Sequence, residues 1–244
     1  MKDGRLKESD AGRVVPCENP KISALESVLS YIKLPTLSKL LDIGCSTGDL
    51  TVYISNKLGV TQIFGVDVDE DALSKAKAKG IIVYKVDVSR EELPFADNSF
   101  DVCTMLDVIE HLENPDHAIK EAYRVLKRGG FLILTTPNLA SWYNRILLLL
   151  GKPVLGIDLS TEWRYEYPLG IKQVISGHRR LYTFDSLKRL LSLYGFQVVK
   201  SKGYPQVSKP VKGFMHFIHV LDKLFARRTT TAANFLIVCS KAPL

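Results

Sequence analysis

The sequence predicts an α/β fold in which a parallel β-sheet is covered by helices on both faces. Between residues 40 and 137, short apolar runs alternate five times with segments of helical periodicity. This alternation is typical of parallel strands joined by crossover helices. Polar side chains lie at the ends of these runs, where parallel sheets bind ligands. They are Asp42, Asp67, Asp87, Asp107 and Asn138.

Composition indicates one globular domain, residues 1–244, with a loose lead-in over 1–20. The chain of 244 residues is 46% hydrophobic and 24% charged, which suffices for a single domain with inserts. The net charge of +7 favours an anionic partner only weakly, because Lys and Arg are spread along the chain. The sequence contains neither a signal peptide nor an apolar run of membrane-spanning length, so we expect a cytoplasmic location.

The cysteines argue against two kinds of site. They are far apart and form no CxxC pair, so the sequence indicates neither a zinc knuckle nor a disulfide framework and favours a reducing compartment. The four residues are Cys17, Cys45, Cys103 and Cys239.

The segment from Leu40 to Leu50 is the one around which the other elements are arranged. It predicts a buried strand, a tight loop and the start of a helix. Gly44 and Gly48 permit positive φ or a close approach of backbone to a ligand. Their spacing matches neither the G-x-G-x-x-G of dinucleotide sites nor a Walker A loop. Asp42 would repel a pyrophosphate but attract an ammonium or sulfonium group, so we expect a cationic ligand.

Apolar periodicity places the other elements of this region. A helix over 22–34 is ended by Pro35. Asn114 and Pro115 begin a later helix as N-cap and first residue, and we expect Gly129–Gly130 to end it. The remaining predicted elements are a helix over 49–58, a strand over 62–66, a helix over 71–79, a buried strand over 81–86, a strand from Phe100, and a strand over 131–136.

Two of the acidic strand ends have specific binding roles in this interpretation. A carboxylate can accept two hydrogen bonds, so Asp67 is a candidate to hold the two hydroxyls of a ribose. Asp87 could accept from an exocyclic amine such as that of adenine, with Val88 or Leu106 against a ring face. Alternatively, Asp87 caps the turn over 89–92.

Together these segments resemble the class I S-adenosylmethionine-dependent methyltransferases. The resemblance covers about residues 25 to 137 and implies a Rossmann-like sheet of seven mostly parallel strands with an antiparallel last strand. A capped helix over 182–195, a sixth strand from Val198 and a seventh over 233–240 agree with it. The segments that carry the resemblance are Leu40–Leu50, Gly65–Asp67, Val86–Val88, Leu93–Phe95, Asn98–Asp101 and Leu126–Gly130.

The resemblance implies S-adenosylmethionine as cofactor and assigns residues to its parts. Asp42, Gly44 and Gly48 would hold the amino-acid end, Asp67 the ribose, and Asp87 with Val88 the adenine. Ser46 stands where the family often has glycine, so the loop takes a less permissive backbone there, or Ser46 lends its hydroxyl. The predicted cofactor-binding residues are Asp42, Gly44, Cys45, Ser46, Gly48, Asp67, Val68, Asp87, Val88 and Leu106.

Two inserts should select the acceptor, one over 139–180 after strand five and one over 204–230 before strand seven. The first is expected to form a lid whose aromatic residues either line a pocket for a ring, sugar or lipid tail or pack the lid onto the sheet. The second contains an amphipathic helix over about 212–228, with flanking lysines and arginines. It could meet an anionic membrane surface, meet another subunit, or fold down as part of the lid. The aromatic candidates are Trp142, Tyr143, Trp163 and Tyr165.

Catalysis needs few residues in this interpretation. Methyl transfer from a sulfonium depends mainly on alignment, and for a hydroxyl acceptor His111 and His178 are the candidates to take the proton. Related methyltransferases with an acidic-x-x-Glu-His pattern bind a metal there, which would involve Asp107 and Glu110 as well. We favour the alternative in which these residues shape the pocket mouth without a metal.

The predicted function is therefore methyl transfer from S-adenosylmethionine to oxygen, nitrogen or carbon of a small-molecule or lipid-like acceptor, by a monomer or a homodimer. One alternative is a non-catalytic regulatory protein that binds the cofactor. An RNA or DNA methyltransferase is less favoured, because residues 107–110 lack the Asn/Asp-Pro-Pro-aromatic stretch that base methylation typically uses.

Overall fold

The computed structural model describes residues 19–160, 162–167, 171–172, 175–206 and 214–242, and the side chains of 171–172 and 214–215 are outside the description. Most of the predicted lead-in, residues 1–18, lies outside the described residues. The helices are α1 (Pro20–Leu29), α2 (Asp49–Leu58), α3 (Glu70–Ala78), α4 (Pro115–Val125), α5 (Trp142–Leu149), α6 (Phe184–Leu193) and α7 (Phe214–Phe225). The strands are β1 (Lys39–Ile43), β2 (Gln62–Asp67), β3 (Ile82–Lys85), β4 (Phe100–Leu106), β5 (Leu126–Pro137), β6 (Glu166–Tyr167), β7 (Ile171–Lys172), β8 (Phe196–Tyr204) and β9 (Asn234–Lys241).

Seven strands form one sheet in the order β3-β2-β1-β4-β5-β9-β8. The pairs from β3 through β5 are parallel, whereas β9 runs antiparallel to both β5 and β8. The predicted seven-stranded sheet with an antiparallel last strand is confirmed. The carboxyl ends of β3, β2, β1 and β4 lie side by side in that order.

Buried side chains cover both faces of the sheet, as the predicted architecture requires. Neighbouring residues of a strand point to opposite faces. Leu41 therefore belongs to the cluster that also contains α4 and α6 residues, and Leu40 to the cluster with α1 residues. The central strands are buried on both faces, which is why they read as continuous apolar runs.

The helix predicted to end at Gly129–Gly130 stops earlier, at Val125. Its last carbonyls, those of Arg124 and Val125, already accept hydrogen bonds from the amides of Asn98 and Ser99. The chain therefore leaves the helix and enters β5 at Leu126, so that both glycines lie within a strand. The prediction placed the boundary wrongly because these partners come from a distant segment.

Two further predictions need correction. The strand predicted as buried over 81–86 is the edge strand β3, where Ile82 and Tyr84 are exposed. The helix predicted over 22–34 ends at Leu29, although Ile32 beyond it remains buried.

The two inserts contact each other beyond the sheet. The ring of Trp142 in α5 stacks on Phe225 in α7, with centroids 5.5 Å apart. Trp142 Nε1 also donates to Asp222 Oδ1 at 3.1 Å. Among the described residues, no helix combines the length and the apolar character needed to cross a bilayer.

Candidate functional site

The glycine loop after β1 has the backbone geometry that the sequence predicts. Gly44 and Gly48 have φ values of 76° and 79°, in the left-handed region. A Cβ atom on Gly44 would lie 2.4 Å from Val108 Cγ2, so a side chain there would clash. The amides of Gly44 and Cys45 both donate to the carbonyl of Val66, which ties the loop to the end of β2.

Ser46 adopts positive φ, 46°, although it is not glycine. Its amide donates to Asp67 Oδ2 at 2.8 Å, while its side chain is exposed. Asp67 Oδ1 accepts from the amides of Val68 and Asp69. The carboxylate of Asp67 therefore anchors two loops and still has a lone pair on Oδ2 for a ligand.

Asp42 lies behind the loop and away from the cavity. Its side chain is 3% exposed, and its two oxygens accept from Thr51 Oγ1 at 2.5 Å and Thr104 Oγ1 at 2.6 Å. Burial raises the pKa of Asp42 to about 6. The buried position of this carboxylate does not support direct contact with a ligand. Through its two hydrogen bonds, Asp42 instead joins β1, α2 and β4.

A cavity of about 330 Å³ lies along the carboxyl ends of β1, β2 and β3. Five of the predicted cofactor-binding residues line it. They are Gly44, Asp67, Val68, Asp87 and Val88.

The other predicted cofactor residues lie outside the cavity lining. Cys45 is buried against Gly65, and burial raises the pKa of its thiol to about 12. Gly48 caps α2 and faces Ile81, and Leu106 packs against a core cluster. These positions support the loop and the strands that carry the lining residues.

The structure shows one of the two roles that the sequence left open for Asp87, the turn cap, and binding of an adenine amine stays a prediction. Asp87 Oδ1 accepts from the amide of Ser89 at 3.0 Å, so it caps the turn after β3. It also lines the cavity.

Three charged residues at the cavity mouth were missed by the sequence interpretation. Glu113 Oε2 accepts from Arg90 Nη2 at 2.5 Å, and Glu113 Oε1 lies 3.1 Å from Arg179 Nη2. Their pairing gave no sequence signal, because the three residues are far apart in the chain.

The predicted catalytic histidines lie together at one end of the cavity. The ring centroids of His111 and His178 are 4.8 Å apart, and His111 lines the cavity. Each Nδ1 faces a carbonyl oxygen, that of Gly177 at 3.2 Å for His111 and that of Gly156 at 2.6 Å for His178. A carbonyl only accepts, so the neutral tautomer with the proton on Nδ1 is favoured and Nε2 carries the free lone pair.

Glu110 adds a buried carboxyl group to this pair. Its Oε2 accepts from Thr136 Oγ1 at 3.0 Å, whereas Oε1 has no hydrogen-bond partner among the residues that the structure describes. Burial, with a smaller contribution from Asp107, raises its pKa to about 7. Glu110, His111 and His178 offer donor atoms within 4.8 Å of one another, a set that could share a proton or hold a divalent cation. The absence of a metal stays a prediction.

The lid aromatics divide between packing and exposure. Trp142 is buried against α7, and burial raises the pKa of Tyr143 to about 12. Trp163 is exposed, with its ring beside that of Tyr165 at 5.9 Å. The cavity described above is lined by other residues, so Trp142 fits the alternative in which an aromatic residue anchors the lid.

Comparison with known proteins agrees with this geometry. A family described as a methyltransferase domain matches residues 41–134. A demethylmenaquinone methyltransferase of Bacteroides fragilis is 30% identical over 190 residues, which cover 70% of this chain and 73% of the relative. The protein of the same name from Staphylococcus aureus is 37% identical over 190 residues, covering 67% and 79%.

A solved structure with the same fold is the putative methyltransferase bound to the Trm112 methyltransferase activator of Haloferax volcanii. It has a TM-score of 0.64 and 14% identity, and the match covers 90% of this chain and 89% of that one. Fold and site together define a methyl-donor-dependent transferase. The chain belongs to the class I S-adenosylmethionine-dependent methyltransferases.

Proposed function

We propose that this enzyme transfers the methyl group of S-adenosylmethionine to carbon, oxygen or nitrogen of a small, lipid-like acceptor, with an aromatic quinol as the first candidate. The observation that carries the proposal is the cavity along the acidic strand ends, which meets a histidine pair at its far side. The demethylmenaquinone methyltransferases named above are similar over most of their length and support a quinol acceptor.

The cavity residues fit the donor. Asp67 retains accepting capacity on Oδ2 for a ribose hydroxyl, and Asp87 can accept from the adenine amine. Gly44 has no Cβ, so the ligand can approach its backbone closely beside Val108. When bound, S-adenosylmethionine supplies a methyl group on a positively charged sulfur. Replacing Asp67 with alanine should weaken donor binding by about 1 to 3 kcal/mol, measured by calorimetry.

The histidine pair is suited to remove a proton from the acceptor. Both rings are held by backbone carbonyls in the tautomer that leaves Nε2 free to accept. Burial lowers the pKa of His111, so its ring is neutral near pH 7. Glu110 beside the pair can stabilise the positive charge that develops on an imidazole.

The direct test is turnover with a methyl-deuterated donor and a panel of acceptors. The panel contains a short-chain demethylated naphthoquinol, a catechol and an aliphatic amine, and mass spectrometry detects the labelled product. We expect methylation of the quinol and at least a hundredfold loss of kcat in His111→Ala, consistent with the effect of about 10²- to 10⁴-fold of a general base. Product from none of the acceptors would contradict the proposed acceptor class.

Repeating the assay with a chelator distinguishes two roles of the cluster formed by Glu110, His111 and His178. Activity that is unchanged by a chelator supports proton transfer by the histidines alone. Activity lost with the chelator and restored by a divalent cation would replace that role with metal binding by the same cluster.

We also propose that α7 brings the enzyme to an anionic membrane surface, where a lipid-like acceptor resides. Phe217, Val220 and Leu224 are exposed and follow one another at helical spacing. Lys223 and Arg227 are exposed beside them, which favours anionic headgroups. Residues 212–213 of the predicted segment lie outside the described residues.

Sedimentation with lipid vesicles tests this contact. We expect binding to vesicles that contain phosphatidylglycerol and weaker binding to purely zwitterionic ones. Phe217→Asp with Leu224→Asp should abolish it, whereas Leu193→Asp, at a more exposed leucine of α6, should not. Wild-type protein that does not bind anionic vesicles but forms dimers through this face would contradict the proposed membrane contact. It would favour a contact with a second copy of the chain.

A further inference from the structure

The histidine pair is built from two separate parts of the chain. His111 lies in the loop between β4 and α4, whereas His178 belongs to the first insert, residues 139–180. The carbonyl that faces Nδ1 of His111 is that of Gly177, and the one that faces Nδ1 of His178 is that of Gly156. Both carbonyls belong to the insert, so the insert sets the tautomer of both rings. The position of these carbonyls therefore decides whether Nε2 is free to accept a proton.

The carboxylate of Asp158 holds the segment that carries one of these carbonyls. Its Oδ2 accepts from the amide of Gly177 at 2.6 Å. Its Oδ1 accepts from the amide and the hydroxyl of Ser176, at 3.0 and 3.2 Å. Gly177 has φ of 73°, which glycine adopts without a steric cost, and its amide faces Asp158 while its carbonyl faces His111. A single residue thus connects Asp158 to the ring of His111.

Asp158 also comes two residues after the second carbonyl, that of Gly156. The segments 156–158 and 176–178 are therefore joined twice, once at each histidine-binding carbonyl. Burial opposes the ionisation of Asp158, but the hydrogen bonds from the second segment outweigh it, and the pKa of Asp158 lies below its ordinary value. Asp158 is therefore a carboxylate at neutral pH. Its hydrogen bonds are charge-assisted, which makes them about twice as strong as neutral ones.

We propose that Asp158 is a positioning residue for proton transfer, which fixes the Gly177 carbonyl and thereby the tautomer and direction of the His111 ring. This role rests on the proposed function, since it requires His111 to take the proton of the acceptor. An imidazole in water carries its proton mainly on Nε2. Loss of the Gly177 carbonyl would therefore place a proton on the atom that has to accept one. The described residues that line the cavity include His111 but not Asp158, so Asp158 acts on turnover through the ring.

The kinetic test uses Asp158→Asn. The asparagine oxygen can still accept from Ser176, but the side-chain NH₂ group would face the amide of Gly177, and two donors cannot pair. We expect kcat with the quinol acceptor to fall about 10- to 100-fold, the cost of a small misplacement of a reacting group. The affinity for S-adenosylhomocysteine, measured by calorimetry, should not change. Glu162→Gln, at an exposed carboxylate of the same insert, should leave kcat unchanged.

NMR of the ring nitrogens measures the tautomer without turnover. The chain has five histidines, so ¹⁵N labelling of histidine gives few signals, and His111→Gln identifies the one of interest. At a pH where the ring is neutral, the wild type should carry the proton of His111 on Nδ1. Asp158→Asn should shift it toward Nε2. Ser176→Ala should shift it less, because both amides still donate to Asp158.

The two measurements separate positioning from general stability of the insert. An unchanged kcat in Asp158→Asn would overturn the proposal. A lower kcat with an unchanged tautomer of His111 would also overturn it, because Asp158 would then have a purely structural role. A wild-type His111 that carries its proton on Nε2 would overturn it without any variant. These outcomes leave the proposed function intact, whereas unchanged turnover in His111→Ala would overturn the proposed base as well.

Discussion

At the scale of single residues, Ser46 holds the ligand-binding loop in a conformation that suits glycine better. Its φ of 46° places its Cβ close to the following carbonyl, which costs roughly 1 to 2 kcal/mol in an L-residue. The hydrogen bond from its amide to Asp67 offsets that cost by fixing the loop against β2. Asp67, which lines the cavity, is thus positioned partly by the residue that departs from the family pattern.

We expect Ser46→Gly to be more stable than Ser46→Ala by about 1 kcal/mol, because alanine keeps the Cβ penalty that glycine removes. Urea denaturation of the two variants measures the difference directly. The same pair of replacements at Ser192, in α6, should give the opposite order, because glycine is unfavourable in a helix. A Ser46→Ala variant that is the more stable of the two would contradict a left-handed conformation at this position.

Asp42 makes the stability of the enzyme depend on pH. Its pKa in the folded chain, about 6, lies above the ordinary value of 3.8, so the folded state binds its proton more tightly than the unfolded state does. The contribution of Asp42 to stability is therefore full below about pH 4 and is lost as pH rises through 6.

Asp42→Asn removes this titration, since asparagine stays neutral. The free energy of unfolding of wild type relative to this variant should fall between pH 4 and pH 7, by at most about 3 kcal/mol. Urea denaturation at the two pH values measures it, with Asp71→Asn at an exposed position of α3 as control. A difference that does not change with pH would mean that Asp42 is ionised throughout.

Single residues also set the limit of sequence interpretation. Asp67 and Asp87 could be placed at the cavity because a strand end is a local property of the chain. Asp42 could not be placed, because its two threonine partners come from α2 and β4. The contact of Lys21 with Asp107 joins residues 86 positions apart, and no local pattern marks it.

At the scale of elements, α6 is the helix with the most complete local specification. Thr183 Oγ1 accepts from the amide of Ser186, and Ser186 Oγ accepts from the amide of Thr183. This capping box, with Leu187 and Leu191 buried, explains why the sequence placed the helix correctly. The end of α4 was misplaced because its last carbonyls accept from residues 98 and 99, which periodicity along the helix cannot reveal.

Thr183→Ala should destabilise the protein by about 1 kcal/mol, the usual cost of losing an N-cap side chain. Chemical denaturation measures the loss, and Ser192→Ala near the other end of α6 provides the control, with an expected change within about 0.5 kcal/mol. An unchanged midpoint in Thr183→Ala would indicate that packing of α6 alone fixes its start.

At the scale of the whole molecule, the order of the strands brings distant segments to one edge. Residues near 44, 67, 87 and 107 meet there because β3, β2, β1 and β4 are neighbours in the sheet. A ligand that spans these ends adds contacts between segments that are distant in the chain and already hydrogen-bonded at this edge. Donor binding should therefore stabilise the fold as a unit.

S-adenosylhomocysteine at 100 times its dissociation constant should add about 2.7 kcal/mol of stability. For a chain of this size the melting temperature should rise by about 5 to 10 °C, as measured by scanning calorimetry. At the same ligand concentration Asp67→Ala should show a smaller rise. Equal shifts in the two proteins would contradict a role of Asp67 in holding the ligand.

The stack of Trp142 on Phe225 has a consequence for engineering. Trp142 and Asp222 are 80 residues apart in the chain, yet the bond between them and the stack of Trp142 on Phe225 make the two inserts one cap. A chimaera that takes residues 139–180 from a relative but keeps the native α7 would lose this contact unless the donor segment carries an equivalent indole. Acceptor preference should therefore be transferable between relatives only when both segments are exchanged together.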